Sequence, residues 1–233
     1  MPSQDFDLDE LAAYLHLNPS QVEKLAGRDD IPGRKVAGKW KFSRAEIHHW
    51  LEHRIGVFDE QELVRVEGVL DRHGKHEEPV VIGDMLHENT IKIPLTSRSP
   101  RKVVTEICEL GTAAGYLWDA PQMIEAVLTR ENMHSTALDN GVALLHPRRP
   151  MPTILAEGFL AMGRTYQGIP FGGSRGILTD VFFLICSIDD PSHLRTLARL
   201  SRIINDNKLL SAIREADHGD DVLQLIRDRE DEL

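Results

Sequence analysis

Histidine is the residue type best placed to do chemistry in this chain, which holds eleven of them. Near neutral pH an imidazole is largely uncharged, so one ring nitrogen can attack an electrophile while the other donates a hydrogen bond that fixes the ring. His48, His49 and His53 fall by spacing on the solvated side of a helix, and His73 and His76 lie in a polar stretch. His–Cys–carboxylate spacing of the metal-binding kind is not evident, so no metal and no cofactor are expected. His146 stands apart. It follows Asn140-Gly-Val-Ala-Leu-Leu145, a turn feeding a short apolar strand, and Pro147 blocks continuation while Arg148 and Arg149 add positive charge. On spacing alone, a surface histidine in a loop is the stronger reading.

A second constellation is basic. Residues 34–44 hold five Lys or Arg and no acid, in a chain of net charge −10. That overall charge argues against broad, non-specific nucleic-acid binding. Residues 214–233 hold eight acids against three arginines, which reads as a solvated helix face and a frayed end.

The elements that must position these groups fall into two sets. In the first, Asp7 and Glu10 have capping-box spacing ahead of a stripe of Leu8, Leu11, Ala12 and Leu15. Asn18-Pro19 restarts a helix that turns Val22, Leu25 and Ala26 inward. Val36 to Phe42 reads as a hairpin about Gly38, with Trp40 and Phe42 packing as core. Ser43 to Glu46 opens a helix that buries Ile47, Trp50 and Leu51. Residues 57–70 look helical, and the polar run 71–79 marks a joint. The second set is mixed. Helices are expected over 101–115, 121–130, 192–205, 208–216 and 219–229, with strand-like stretches over 154–162 and 177–188. The expected class is therefore α+β: a small sheet flanked by helices, preceded by a small, mainly helical unit. Three segments follow, 1–56, a helical linker 57–78, and 79–233.

The chain has 233 residues and is 41% hydrophobic, an ordinary globular balance. No apolar run approaches the roughly 20 residues that span a bilayer, and the start lacks the basic and apolar stretches of a signal peptide. Cys108 and Cys186 have no partner spacing. A reducing cytoplasm and no membrane contact are the expectation.

Longer motifs bring a family into view. Thr129-Arg-Glu-Asn-Met-His-Ser-Thr136 followed by Asn140-Gly-Val-Ala-Leu-Leu-His146 resembles the active-site signature of fructose/mannitol-type enzyme IIA proteins of the bacterial phosphotransferase system, the group that includes the nitrogen-regulatory enzyme IIA. Gly168-Ile-Pro-Phe-Gly172, Asp180-Val-Phe-Phe-Leu184 and the helix from Ser192 to Ile204 resemble its later stretches, so the likeness runs over roughly residues 79–228. The resemblance implies that His146 is the phosphorylated histidine, His193 a second active-site histidine, and Arg130 an arginine beside the site. Phosphoryl transfer demands mostly positioning and charge neutralisation. Arg130 could neutralise phosphoryl oxygens with its planar fork, and His193 at a helix start would sit where backbone N–H groups attract an anion. Three positions depart from the pattern: Leu145 stands where the family usually has Pro, Pro147 where a small residue is common, and His134 where Gly precedes Ser-Thr.

Residues 7–51 resemble the excisionase-type, MerR-like winged helix-turn-helix. The residues concerned are Leu11-Ala-Ala-Tyr-Leu15, Ile31-Pro-Gly-Arg-Lys-Val36, Gly38-Lys-Trp-Lys-Phe-Ser43 and Trp50-Leu51. In such a module Ser20, Gln21 and Lys24 would face the major groove, and Arg34, Lys35, Lys39 and Lys41 would meet backbone phosphates from the wing. DNA is thus a candidate partner. So small a unit needs a dimer and two half-sites, which makes a homodimer a candidate state with the 57–70 helix as its seam.

The resemblances imply a phosphocarrier that takes a phosphoryl group on His146 from a small histidine carrier such as HPr or its nitrogen-branch counterpart, and couples it to DNA-binding regulation. Two other readings remain: a DNA-binding regulator whose rear domain is a non-phosphorylated sensing or dimerisation module, and a sugar-transport subunit serving a membrane permease.

Overall fold

Asp7 and Glu10 close the capping box that their spacing implies. The backbone N–H of Asp7 donates to Glu10 Oε2 at 2.8 Å, and that of Glu10 to Asp7 Oδ1 at 2.9 Å. The computed structural model describes residues 5–15, 17–55, 62–64, 67, 68, 70 and 80–233. The chain divides into two compact units, Met1–Glu78 and Pro79–Leu233.

The first unit runs β1 (Asp5–Phe6), α1 (Leu8–Leu15), α2 (Pro19–Ala26), β2 (Arg34–Val36), β3 (Lys39–Ser43) and α3 (Arg44–Ile55). The three strands form an antiparallel sheet in the order β1-β3-β2. The hairpin turns at Ala37 and Gly38, both at positive φ (50° and 79°), the backbone that a two-residue connection needs to match strand twist. Phe6, Leu11, Val22, Ile31, Phe42, Ile47, Leu51 and Ile55 are buried. Trp40 stacks on Phe42 with ring centroids 5.9 Å apart, while Trp50 is half-buried and donates its indole N–H to the Asp30 carbonyl at 2.7 Å. His48 departs from the expected solvated position. It is buried, with Nε2 3.2 Å from the Tyr14 hydroxyl, because 48, 51 and 55 share one helix face at i, i+3 and i+7. The expected 57–70 helix lies partly outside the described residues; those described within it are helical. The joint at 71–79, with His73 and His76, lies outside them altogether.

The second unit runs α4 (Ile82–Met85), β4 (Leu86–Leu95), α5 (Pro100–Ala113), α6 (Ala120–Met133), β5 (Val142–Leu145), β6 (Phe159–Ile169), β7 (Thr179–Cys186), α7 (Asp190–Ile204), α8 (Asn207–Glu215) and α9 (Gly219–Asp231). Its sheet has the order β4-β6-β7-β5. The outer pairs β4–β6 and β5–β7 are parallel and the central β6–β7 pair is antiparallel. Val103, Val104, Ile107 and Cys108 of α5 and Met123 and Val127 of α6 form one core with Ala143, Leu145, Ala161, Phe182 and Leu184 of the sheet. The alternate residues Val181, Phe183 and Ile185 are equally buried, so β7 is covered on both faces, as its near-continuous apolar run implies.

Two strands differ from the expectation. The stretch 154–162 is not one strand: residues 152–154 form a short 3-10 turn, Leu155 bridges to Leu117, and pairing begins only at Phe159. Strand β4 has no counterpart among the expected strands. It is an edge strand carrying His87, Glu88, Asn89 and Lys92, polar enough to hide its period.

Candidate functional site

Strand β5 carries the site. Asn140-Gly141 turns the chain into it, with Gly141 at φ 83°. Arg214 of α8 clamps that turn, donating from Nη2 to the Asn140 carbonyl at 2.7 Å and from Nε and Nη2 to the Asp180 carboxylate at 2.8 Å each. The Asp180 hydrogen bond raises the Arg214 pKa above its ordinary value. The four residues of β5 pair in parallel with Val181 to Leu184 of β7, and the next residue is His146.

His146 Nδ1 lies 2.8 Å from the Leu144 carbonyl oxygen. A carbonyl only accepts, so Nδ1 carries the proton and, in the neutral ring, Nε2 carries the lone pair. His193 lies in the first turns of α7, whose N-cap Asp189 accepts from the Ser192 N–H at 2.7 Å. Strands β5 and β7 are adjacent and parallel, so the residues that follow them emerge at the same edge of the sheet. There the two imidazole rings meet, with centroids 4.9 Å apart and planes inclined by 50°. Both rings are buried. His193 Nδ1 is 3.4 Å from the Ser187 hydroxyl.

Arg130 occupies the last turn of α6 and is 3% exposed. Its Nη1 donates to the His134 carbonyl at 2.7 Å, while its buried Nε has no hydrogen-bond partner among the described residues. Next to it, Glu131 accepts from the Thr136 N–H at 3.1 Å and the Thr136 hydroxyl at 2.5 Å. Burial pushes the Glu131 carboxyl up from its ordinary value of 4.5, against the pull of the Thr136 hydrogen bonds, His146 and Arg130. Glu131 thus lies within electrostatic reach of both other groups. In sequence it stands inside the signature with no role attached; the only signal for it is the Glu-to-Thr spacing of five across a helix end.

In the first unit, Ser20, Gln21 and Lys24 are exposed on α2. Gln21 is already used, its Oε1 accepting from the Asn18 N–H at 2.8 Å. Register places Arg34 opposite Lys41 and Val36 opposite Lys39, so Arg34, Lys39 and Lys41 share one face of the hairpin. Lys35 lies opposite Trp40 on the other face, its Nζ 4.9 Å from the indole centroid. Arg34 pairs with Asp5 at 2.6 Å.

Comparison with known proteins follows the same division. Residues 84–229 match the family described as the phosphoenolpyruvate-dependent sugar phosphotransferase system, EIIA 2, and residues 6–54 match a helix-turn-helix domain family. The nitrogen regulatory protein of Escherichia coli (strain K12) is 28% identical over 152 residues, 64% of this chain and 91% of that protein. The fructose-specific EIIABC component of the phosphotransferase system of Bacillus subtilis (strain 168) is 26% identical over 147 residues, 62% of this chain but only 23% of that much longer protein. Two solved structures share the fold of the second unit. IIA mannitol from Escherichia coli has a TM-score of 0.54 at 17% identity, covering 60% of this chain and 97% of that one. The nitrogen regulatory protein IIA-Ntr from Neisseria meningitidis has a TM-score of 0.57 at 19% identity, covering 63% and 99%. Among the described residues no helix is long and apolar enough to cross a membrane.

Proposed function

The chain belongs to the phosphoenolpyruvate-dependent sugar phosphotransferase system EIIA 2 family and carries a helix-turn-helix domain in front, and on that premise we propose that it is a phosphocarrier whose His146 accepts a phosphoryl group from a small HPr-type carrier and passes its state to a DNA-binding unit. The observation that carries this reading is the hydrogen bond between His146 Nδ1 and the Leu144 carbonyl, which holds the proton on Nδ1 and leaves the lone pair of the neutral ring on Nε2. Nε2 attacks phosphorus as the donor's P–N bond breaks. The bonding pair returns to the donor ring, which holds a proton on its other nitrogen and leaves as neutral imidazole. His146 becomes a phosphoimidazolium whose Nδ1 keeps its proton and still donates it to the Leu144 carbonyl, so no proton has to move during transfer.

His193 and Arg130 supply the surroundings. The His193 ring, 4.9 Å from that of His146, lies close enough to donate to a phosphoryl oxygen, and the start of α7 adds the positive end of a helix dipole. The buried Nε–H of Arg130 is a donor suited to an anion. Departure from the family pattern at Leu145 and Pro147 removes no charged or nucleophilic group. In the front unit, Ser20 and Lys24 serve groove contact, and Arg34, Lys39 and Lys41 phosphate contact, in a dimeric cytoplasmic regulator.

The test is incubation with phosphoenolpyruvate, enzyme I and the HPr-type carrier. The wild-type chain should gain one acid-labile phosphate and His146→Ala none. Equal label on His146→Ala removes the assignment. No label on wild type favours the second reading, a regulator whose EIIA-like domain senses or dimerises without being phosphorylated.

A further inference from the structure

Resting on the phosphocarrier reading, we infer that Ser187 is a positioning residue for phosphoryl transfer: its hydroxyl holds the His193 ring with the proton on Nε2, so that His193 is a fixed N–H donor beside the nucleophilic His146. Ser187 follows the apolar run Val181 to Cys186 of β7 and is itself 3% exposed. Its hydroxyl lies 3.4 Å from His193 Nδ1 and has no other hydrogen-bond partner among the described residues. Burial decides the direction of that bond. If Nδ1 carried the proton, it would donate to the hydroxyl oxygen and leave the hydroxyl proton buried without an acceptor. If the hydroxyl donates, its proton is satisfied. Nδ1 then accepts, and the neutral ring carries its own proton on Nε2.

His146 is held in the opposite tautomer, with its proton on Nδ1 against the Leu144 carbonyl. The two rings therefore carry unlike groups at Nε2, a lone pair on His146 and an N–H on His193. Their centroids are 4.9 Å apart, and a nitrogen of one ring lies within 4.8 Å of a nitrogen of the other. A phosphoryl group on His146 thus has a donor, rather than a second lone pair, beside its oxygens. The link from Ser187 to His193 is short and tied down. Asp189 accepts from the Ser192 N–H at 2.7 Å through its carboxylate, and from the Ser192 hydroxyl at 3.0 Å and the His193 N–H at 3.1 Å through its carbonyl. The hydroxyl is thereby kept against the ring. At 3.4 Å the bond is long, and catalytic bonds of this kind tighten in the reacting complex.

The test uses the full chain and joins ring spectroscopy to transfer kinetics. Nitrogen NMR of the neutral rings should place the His193 proton on Nε2 and the His146 proton on Nδ1. Ser187→Ala should shift the His193 Nδ1 resonance, as its hydrogen bond is lost, and leave the His146 ring unchanged. In single-turnover transfer from the phosphorylated HPr-type carrier, the same variant should lower the rate at saturating carrier about three- to tenfold, the effect of one lost hydrogen bond. The carrier concentration at half-saturation should not move. Ser187→Thr should restore most of the rate, and Ser187→Val, which has the shape of threonine without the hydroxyl, should not. A proton on His193 Nδ1 in wild type overturns the inference, as does an unmoved Nδ1 resonance in Ser187→Ala. So does a Ser187→Ala rate equal to wild type, or a Ser187→Thr rate no faster than that of Ser187→Val. If wild type takes no label from the carrier, the phosphocarrier reading itself falls, and the ring spectra decide separately whether Ser187 sets the His193 tautomer.

Discussion

Glu131 grips Thr136 twice, at the backbone N–H and at the hydroxyl. The Thr136 carbonyl then accepts from the Leu144 N–H at 3.3 Å, and the Leu144 carbonyl fixes His146 Nδ1. A half-buried carboxyl is thereby linked to the orientation of the His146 ring through two backbone groups. Because burial raises the Glu131 pKa, the folded protein holds that proton more tightly than the unfolded one. The associated stability is complete below the ordinary carboxylate value and is lost as pH rises through the raised one. Glu131→Gln should therefore show a smaller fall in Tm from pH 4 to pH 8 than wild type, together with slower labelling of His146. An identical Tm profile would remove the linkage.

Glu106 of α5 behaves in the opposite sense. Burial pushes its carboxyl up, but hydrogen bonds from Lys92, Ser97 and Thr96 outweigh that and bring it from 4.5 to about 2. Stability from this group is present above about 4.5 and drains away as pH falls towards 2. Glu106→Gln should cost about 1–3 kcal/mol at pH 7 and little at pH 2, measured by urea unfolding at the two pH values.

The two faces of the wing should separate in DNA binding. Lys39→Ala/Lys41→Ala removes two cations from the face shared with Arg34, and should lower the slope of log affinity against log salt by about 1.8, roughly 0.9 for each phosphate no longer neutralised. Lys35→Ala, on the face of Trp40, should leave that slope unchanged. Equal effects of the two changes would place DNA elsewhere.

Arg214 holds the turn ahead of β5 from a helix that follows it by more than sixty residues. Arg214→Ala leaves Asp180 and the Asn140 carbonyl without their donor. It should destabilise the chain by roughly 1–3 kcal/mol, with Asp180→Asn milder. Denaturant midpoints at constant slope would read this directly.

Much of the helical scaffold is legible in the sequence because period and caps coincide: Asp7 with Glu10, Pro19 after Asn18, and Pro100, Pro121 and Pro191 near helix starts. Strand β7 declares itself by its apolar run. Strand β4 does not, since an edge strand interrupted by His87, Glu88 and Asn89 offers no alternation to read. His146 and His193 are reached through family likeness, and no spacing rule would join residues forty-seven apart in sequence. Glu131 is hidden for a different reason. Its importance lies in a hydrogen bond to a backbone group, and sequence does not display where backbone groups point.

The junction of β5 with the loop after His146 has a consequence for how such a carrier can diversify. His146 follows the end of a buried strand, whereas Arg148 and Arg149 are exposed in the loop beyond it, between the buried Pro147 and Met151, which packs against the core. Substitution at Arg148 and Arg149 alone therefore changes the charge beside His146 without disturbing a packed residue.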